Sequence, residues 1–311
     1  MRRRLRLPGD ASGRLDRAVA DALGIGRAPV KEAFRRGAVR VDGRRARASD
    51  AARPGAEVEV EVEAAPGAPE PDPAAPLRVL AESPRWVVVD KPAGVATHPL
   101  RAGERGTLAN AVVARYPECA GAAERPREGG AVHRLDADTS GCALFARDRA
   151  AWEALRGQLA RRAVEKVYLA LVAGRVAAGG VCSVPLAQRG GRAVPVPDAE
   201  AAARLPTRAG APRPAETRWE VVRALPRHTL LEVRIPTGAM HQIRAHLAFL
   251  GHPVAGDAAY GGAAAALPGL HRQFLHAWRL GFDDPGGGRV EVEAPLPPEL
   301  AAALEALAAR P

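Results

Sequence analysis

Valine and glutamate alternate strictly from Val58 to Glu63, which predicts a β-strand buried on one face. Before it, Leu15, Val19, Ala22 and Leu23 recur at helical spacing, with Gly24 placed to stop that helix. A second short helix is predicted from Pro29, burying Val30, Ala33 and Phe34 and ending at Gly37. Val39-Arg40-Val41 alternates like a strand and runs into Asp42-Gly43, a tight-turn pair. Residues 12–63 thus read as a small α/β module, and 1–63 as the first domain. Residues 64–76 carry five prolines among alanines and a glycine. They read as a semi-rigid linker, up to ~40 Å if extended at about 3 Å per residue. From 77 to 311, strand-like runs lie at Trp86–Val89, Cys142–Ala146, Tyr168–Val172, Trp219–Val222 and Leu230–Ile235. Helical stretches lie at Trp152–Arg162 and near Met240–Leu250. Strands outnumber helices without regular alternation, which predicts an α+β domain with a mixed or mainly antiparallel sheet. Residues 187–215, rich in Pro, Gly and Arg, read as a long exposed loop, and no internal repeat is evident.

Composition adds bounds. The chain has 311 residues, 47% hydrophobic and 26% charged, which suits one large or two unequal globular domains. No apolar run approaches the roughly 20 residues of a membrane span. Pro8, Gly9 and Asp10 stand where a signal peptide would need its apolar stretch. Cys119, Cys142 and Cys182 are far apart with no CxxC pair, against both a disulfide framework and a structural zinc site. The expectation is a soluble, cytoplasmic monomer. The net charge of +10 is concentrated: residues 1–53 hold 15 of the 45 Lys+Arg but 6 of the 35 Asp+Glu, a balance of +9. Only Lys31, Lys91 and Lys166 are lysines, a bias toward arginine that runs through the chain but does not explain the local surplus. Arg27, Lys31 and Arg35 are spaced four apart on one predicted helical face, with Arg36 and Arg40 beside them. That face is either solvated surface or a contact for RNA or DNA, and the charge localisation favours nucleic acid.

Few standard catalytic signatures are present. There is no GxxxxGK[ST] loop, GxSxG elbow or HExxH pair, and Gly24-Ile25-Gly26 lacks a third glycine. His241 and His246, five apart, fall on different helical faces and read as packing, hydrogen-bonding histidines rather than metal ligands. The segment His133-Arg134-Leu135-Asp136-Ala137-Asp138-Thr139-Ser140-Gly141 stands out as a polar core between apolar flanks, leading into a strand. On its own, Asp136 is either a turn-capping aspartate or a catalytic carboxylate.

This segment resembles the active-site signature of the RluA family of pseudouridine synthases. Other blocks resemble that family in the same order: Asp90-Lys91-Pro92-Ala93-Gly94 with His98-Pro99, Gly106 to Ala111, Lys166 to Val172, and Thr237-Gly238 with His241-Gln242-Ile243-Arg244-Ala245-His246. Gly251-His252-Pro253, Gly256-Asp257, Tyr260-Gly261 and Leu275-His276-Ala277 complete the series. The likeness spans about residues 77–300. The basic module, through Gly37–Gly43 and Arg53–Glu63, is similar to a small RNA-binding domain first seen in a ribosomal small-subunit protein. The resemblance implies an RNA pseudouridine synthase without cofactor or metal, in which Asp136 attacks at the ribose or acts as base. It further implies that Arg244 keeps Asp136 ionised, that Tyr168 stacks on the uracil, and that Arg134 lies near the RNA. Large-subunit ribosomal RNA is the expected partner, ahead of transfer RNA. One departure is Ala239, where the family usually has arginine after Thr-Gly; this bears on substrate grip. The rivals are a catalytically silent RNA-binding or assembly factor, which Ala239 would suit, and a carboxylate-dependent hydrolase, which lacks a recognisable second acid.

Overall fold

The computed structural model describes residues 2–23, 27–61, 67–206 and 210–309. The chain divides into two compact units, Met1–Gly67 with Leu100–Ala102, and Ala68–Pro99 with Gly103–Pro311.

The first unit contains β1 (Arg2–Arg6), α1 (Leu15–Leu23), α2 (Arg27–Arg35), β2 (Val39–Val41), β3 (Arg44–Arg45) and β4 (Glu57–Glu61). Its sheet runs β1-β4-β2-β3, antiparallel throughout. Leu15, Val19, Val30, Phe34, Val58 and Val60 share one core. The predicted helix stop at Gly24, the Gly24-Ile25-Gly26 motif, the end of the alternating strand and the 63/64 boundary lie outside the described residues. The arginine-rich start, read only as charge, is a strand: β1 pairs with β4 so that Arg4 and Arg6 lie opposite Glu59 and Glu57. Arg4 and Glu59 form an ion pair of 2.6 Å. Complementary charge on one face accompanies the apolar pairing of Leu5 with Val58 on the other in this register.

The second unit is built on a nine-stranded sheet. Its elements are β5 (Arg78–Glu82), β6 (Trp86–Lys91), α3 (Leu108–Arg115), β7 (Ser140–Ala146), α4 (Arg149–Ala160), β8 (Glu165–Ala173) and β9 (Gly180–Cys182). They continue with β10 (Leu186–Arg189), β11 (Arg192–Pro195), α5 (Ala199–Ala203), β12 (Thr217–Ala224), β13 (His228–Arg234) and α6 (Gln242–Phe249). Last come β14 (Leu275–Asp283), β15 (Arg289–Glu293) and α7 (Pro298–Ala308). Strand order is β5-β6-β7-β14-β8-β13-β12-β9, with β15 on β14. Every pairing is antiparallel except β7 with β14. The fold is therefore α+β with a mainly antiparallel sheet, as the pattern of runs predicts.

The central strands are apolar on consecutive positions because both faces are covered. Val87, Val89, Ala143 and Phe145 face a core closed by α3, α6 and α7. Trp86, Val88, Cys142 and Leu144 face another closed by α4. Among the described residues no helix is long and apolar enough to cross a membrane.

Two expectations need correction. Residues 187–215 are not one exposed loop: β10 and β11 form a hairpin turning at Gly190-Gly191, both at positive φ, and α5 follows. Ala187, Ala193 and Ala215 are buried, apolar contacts too small for a periodicity reading to register. Nor do the described residues of the predicted semi-rigid linker, from 68 on, stand clear of the second unit. Pro69 is buried, Asn110 donates to the Glu70 carbonyl at 2.7 Å, and the Asp72 amide donates to the Asn110 carbonyl at 3.1 Å. Its later residues are therefore laid down on α3.

Candidate active site

The loop from Ala131 to Thr139, leading into β7, is pinned almost residue by residue. Trp152 Nε1 and Arg156, both on α4, donate to the carbonyls of Ala131 and Val132, each at 3.0 Å. His133 Nε2 accepts the Leu144 amide at 3.2 Å, and burial pushes its pKa down to about 3, so the ring stays a neutral acceptor. Thr97 brackets Leu135, its hydroxyl donating to the carbonyl at 2.9 Å and accepting from the amide at 3.1 Å. Lys91 is fully buried, and its Nζ donates to the carbonyls of Pro92, Val95 and Ala137 at 2.8, 2.6 and 2.6 Å. Burial lowers its pKa to about 7, while Asp138 and Asp136 pull the other way. Arg272 holds the Asp138 carbonyl at 3.1 Å, and the Thr139 amide closes a turn on the Asp136 carbonyl at 3.0 Å. So many independent anchors fix where the Asp136 carboxylate points.

That carboxylate meets α6. Arg244 Nη1 donates to Asp136 Oδ2 at 2.9 Å, and its Nε and Nη2 grip both oxygens of Asp257 at 2.7 and 2.9 Å. One nearly buried guanidinium therefore serves two carboxylates, and Asp257 is itself buried. Burial alone would lower the Arg244 pKa; the hydrogen bonds to Asp257 and Asp136 prevail and raise it. Asp257 also accepts the amides of Ala259 and Tyr260 at 3.0 and 3.1 Å, so it is held from the far side as well.

The motif around Arg244 divides its labour. Gln242 Oε1 accepts from the Thr237 hydroxyl and the Ala239 amide, and its Nε2 donates to the Glu216 carbonyl, which ties the preceding turn to β12. His246, expected to pack, sits between the Thr217 hydroxyl and the Val184 carbonyl at 2.8 Å each. His241 does more than pack: its Nε2 lies 3.9 Å from Asp136 Oδ1 and its Nδ1 3.0 Å from the Tyr260 hydroxyl.

Asp136, Tyr168 and Arg244 line one cleft of about 640 Å³. Tyr168 is buried in β8, and burial together with the charge of Asp136 pushes its phenol pKa up, so it is neutral at neutral pH. Lys166, two residues earlier, donates to the Thr237 carbonyl at 2.9 Å, and burial lowers its pKa to about 8. Arg134, Arg156, Arg162 and Arg213 also line the cleft, giving it a positive rim over an apolar floor of Leu135, Ile235, Ile243 and Leu275. Arg134 is exposed there. Ala239, without a guanidinium, packs with Leu186, Ala193, Ala215 and Ala245 beneath the β10–β11 hairpin.

The expected nucleic-acid residues of the first unit lie apart from this cleft along the sequence, on α2, in the turn after it and on β2. Arg27 is committed to the buried carboxylate of Asp16 at 2.9 Å, Arg35 pairs with Glu32, and Arg40 donates to the Gly43 carbonyl at 3.1 Å. Lys31, Arg35, Arg36 and Arg40 are exposed. Sequence reasoning did not single out Asp257, Lys91, Thr97, His241 or Tyr260 as parts of the site. All but Thr97 stand inside the family-like motif blocks, and no spacing rule links them to Asp136.

Residues 85–249 match the family model described as RNA pseudouridylate synthase. An RNA pseudouridine synthase of Chloroflexus aurantiacus is 39% identical over 96% of this chain and 92% of its own. A protein of Xanthomonas campestris pv. campestris named ribosomal large subunit pseudouridine synthase D is 37% identical over 97% of this chain and 91% of its own. Among solved structures, the human RNA pseudouridylate synthase domain containing 1 superposes with a TM-score of 0.58 at 25% identity, covering 78% of this chain and 98% of that one. The chain belongs to the RNA pseudouridylate synthase family, and the members of that family are isomerases acting on RNA.

Proposed function

We propose that this protein converts specific uridines of structured RNA to pseudouridine, with large-subunit ribosomal RNA as its substrate and the cytoplasm as its place of work. The observation that carries the reading is Asp136, fixed by its loop and hydrogen-bonded by the Arg244 guanidinium in a positively rimmed cleft. In this reading a uridine leaves its stack and enters the cleft. Asp136 acts as nucleophile or base beside the sugar, the ribose–nitrogen bond breaks, the uracil turns, and the ring carbon is joined to the ribose. Tyr168 presents a neutral aromatic face to the base, and Arg134 meets the RNA at the rim. Residues 1–63 act as a separate RNA-binding domain of the ribosomal-protein type, its exposed Lys31, Arg35, Arg36 and Arg40 meeting phosphates and its Arg27 bracing Asp16. Support for ribosomal RNA comes from the relatives named for the ribosomal large subunit. The test is tritium release from RNA labelled at uracil carbon 5, since rejoining through that carbon frees the label. Wild-type protein should release it, whereas Asp136→Asn, nearly isosteric, should bind RNA equally and release none. Turnover by cleanly purified Asp136→Asn would overturn the assignment.

A further inference from the structure

Arg244 occupies only one oxygen of Asp136, and the other faces a polar chain that reaches back to the β10–β11 hairpin. Asp136 Oδ1 looks across 3.9 Å to His241 Nε2. Nδ1 of that ring lies 3.0 Å from the Tyr260 hydroxyl, which accepts the Ala193 amide of β11 at 2.7 Å. A phenol carries a single proton. With the Ala193 amide already donating to the oxygen, the hydroxyl proton is available for donation to His241 Nδ1. The ring proton is then on Nε2, directed at the carboxylate. Burial holds the imidazole below its usual range, which favours the neutral ring at neutral pH. Besides Asp136, the charged and titratable groups around the ring are Arg244, Asp257, Arg134 and Tyr260.

The placement is unusual for a residue with only a packing duty. His241 stands at the N-terminus of α6 with φ of 53°, a left-handed backbone that side-chain-bearing residues rarely adopt, yet its side chain does not cap the helix. Its ring meets Tyr260 edge to face at 5.7 Å between centroids, and the Arg244 guanidinium lies over the same Tyr260 ring at 5.1 Å. Tyr260 thus contacts both side chains that address Asp136.

We propose that His241 is a positioning residue for the isomerisation: its Nε2–H holds Oδ1 of Asp136 while Arg244 holds Oδ2, and Tyr260, anchored by the hairpin, fixes the required tautomer. The present gap closes to hydrogen-bond length with a shift of about 1 Å. A misplacement of that size at a reacting group can cost about a hundredfold in rate. The inference rests on Asp136 being the reacting carboxylate.

Two substitutions separate positioning from packing. His241→Asn tolerates the left-handed backbone and keeps an acceptor for Tyr260, but its amide ends short of Asp136. His241→Gln places a donor where Nε2 stood. In the tritium-release assay, His241→Asn should lower kcat by about ten- to a hundredfold, leaving KM within about twofold and Tm unchanged. His241→Gln should recover much of that loss. Tyr260→Phe should lower kcat as well, and combining it with His241→Asn should add little. A wild-type kcat in His241→Asn, a loss confined to KM or accompanied by a fallen Tm, or a Gln variant no better than Asn would each overturn the proposal. Wild-type release and an inactive Asp136→Asn protein, run alongside, establish the underlying reading separately; failure of those controls would count against that reading instead.

Discussion

A single guanidinium shared by two carboxylates, the buried Asp257 and the half-buried Asp136, makes Arg244 the residue whose removal should be felt twice. Arg244→Ala would leave Asp257 buried and uncompensated, so a stability loss of about 3–5 kcal/mol is expected with the loss of activity. Thermal melts and tritium release should show both. Asp257→Asn retains shape but loses the charge that holds Arg244, so it should lower turnover without touching RNA; a wild-type kcat would show that Asp257 only packs. Tyr168→Phe keeps the aromatic face and removes the hydroxyl. Retained RNA affinity with lost turnover would assign the hydroxyl to proton transfer, whereas unchanged turnover would leave Tyr168 a stacking role. Asp136, Tyr168 and Arg244 were legible because motif likeness marks each position. Asp257 was not singled out: any aspartate after a glycine reads as a turn residue, and only the folded chain sets it against α6.

Among the elements, β6 and β7 shape the active-site loop through two features. Lys91 ends β6 with its ammonium on three carbonyls, one of them Ala137 beside Asp136. Its pKa is about 7 folded, against about 10.5 for an exposed lysine, so between these values the unfolded chain binds more protons. Stability contributed by this group therefore rises with pH across that window. Urea unfolding of wild type and Lys91→Met should show wild type gaining relative to the variant from about pH 7.5 to 9.5; parallel curves would refute the linkage. Gly141, the second residue of β7, has φ of 112°, and a Cβ there would lie 2.2 Å from the Ala277 carbonyl oxygen of β14. Gly141→Ala should cost about 2–5 kcal/mol through strain and overpacking at the one parallel pairing of the sheet, visible as a lowered Tm. The sequence showed that a strand begins here, but not that a distant strand passes so close.

For the whole molecule, the charge surplus in residues 1–53 predicts how RNA is gripped. A protein beginning at Ala68 keeps Pro69, Glu70 and Asp72 on α3, whereas one beginning at Pro76 would strip those interactions. The Ala68 form should bind RNA more weakly and retain slow activity on a short substrate. Its affinity should also depend less on salt, because every phosphate it no longer neutralises takes about 0.7–0.9 off the log–log slope. Titration of both proteins against one RNA at several salt concentrations decides this. Equal affinities and slopes would reduce Lys31, Arg35, Arg36 and Arg40 to solvated surface.

What the sequence by itself determined was local or compositional. Alternation and helical spacing marked most central strands and helices, the imbalance of arginine marked a basic module, and ordered motifs marked Asp136, Tyr168 and Arg244. Only the tertiary structure decided which strand lies beside which, that β1 is held by glutamates of β4, and that small alanines pack the β10–β11 hairpin against Ala239. It also decided that Arg244 faces two carboxylates and that His241, in contact with the Tyr260 hydroxyl, faces one of them. These are contacts between residues far apart in sequence, set by sheet order and helix packing, and a periodicity carries information only along its own element.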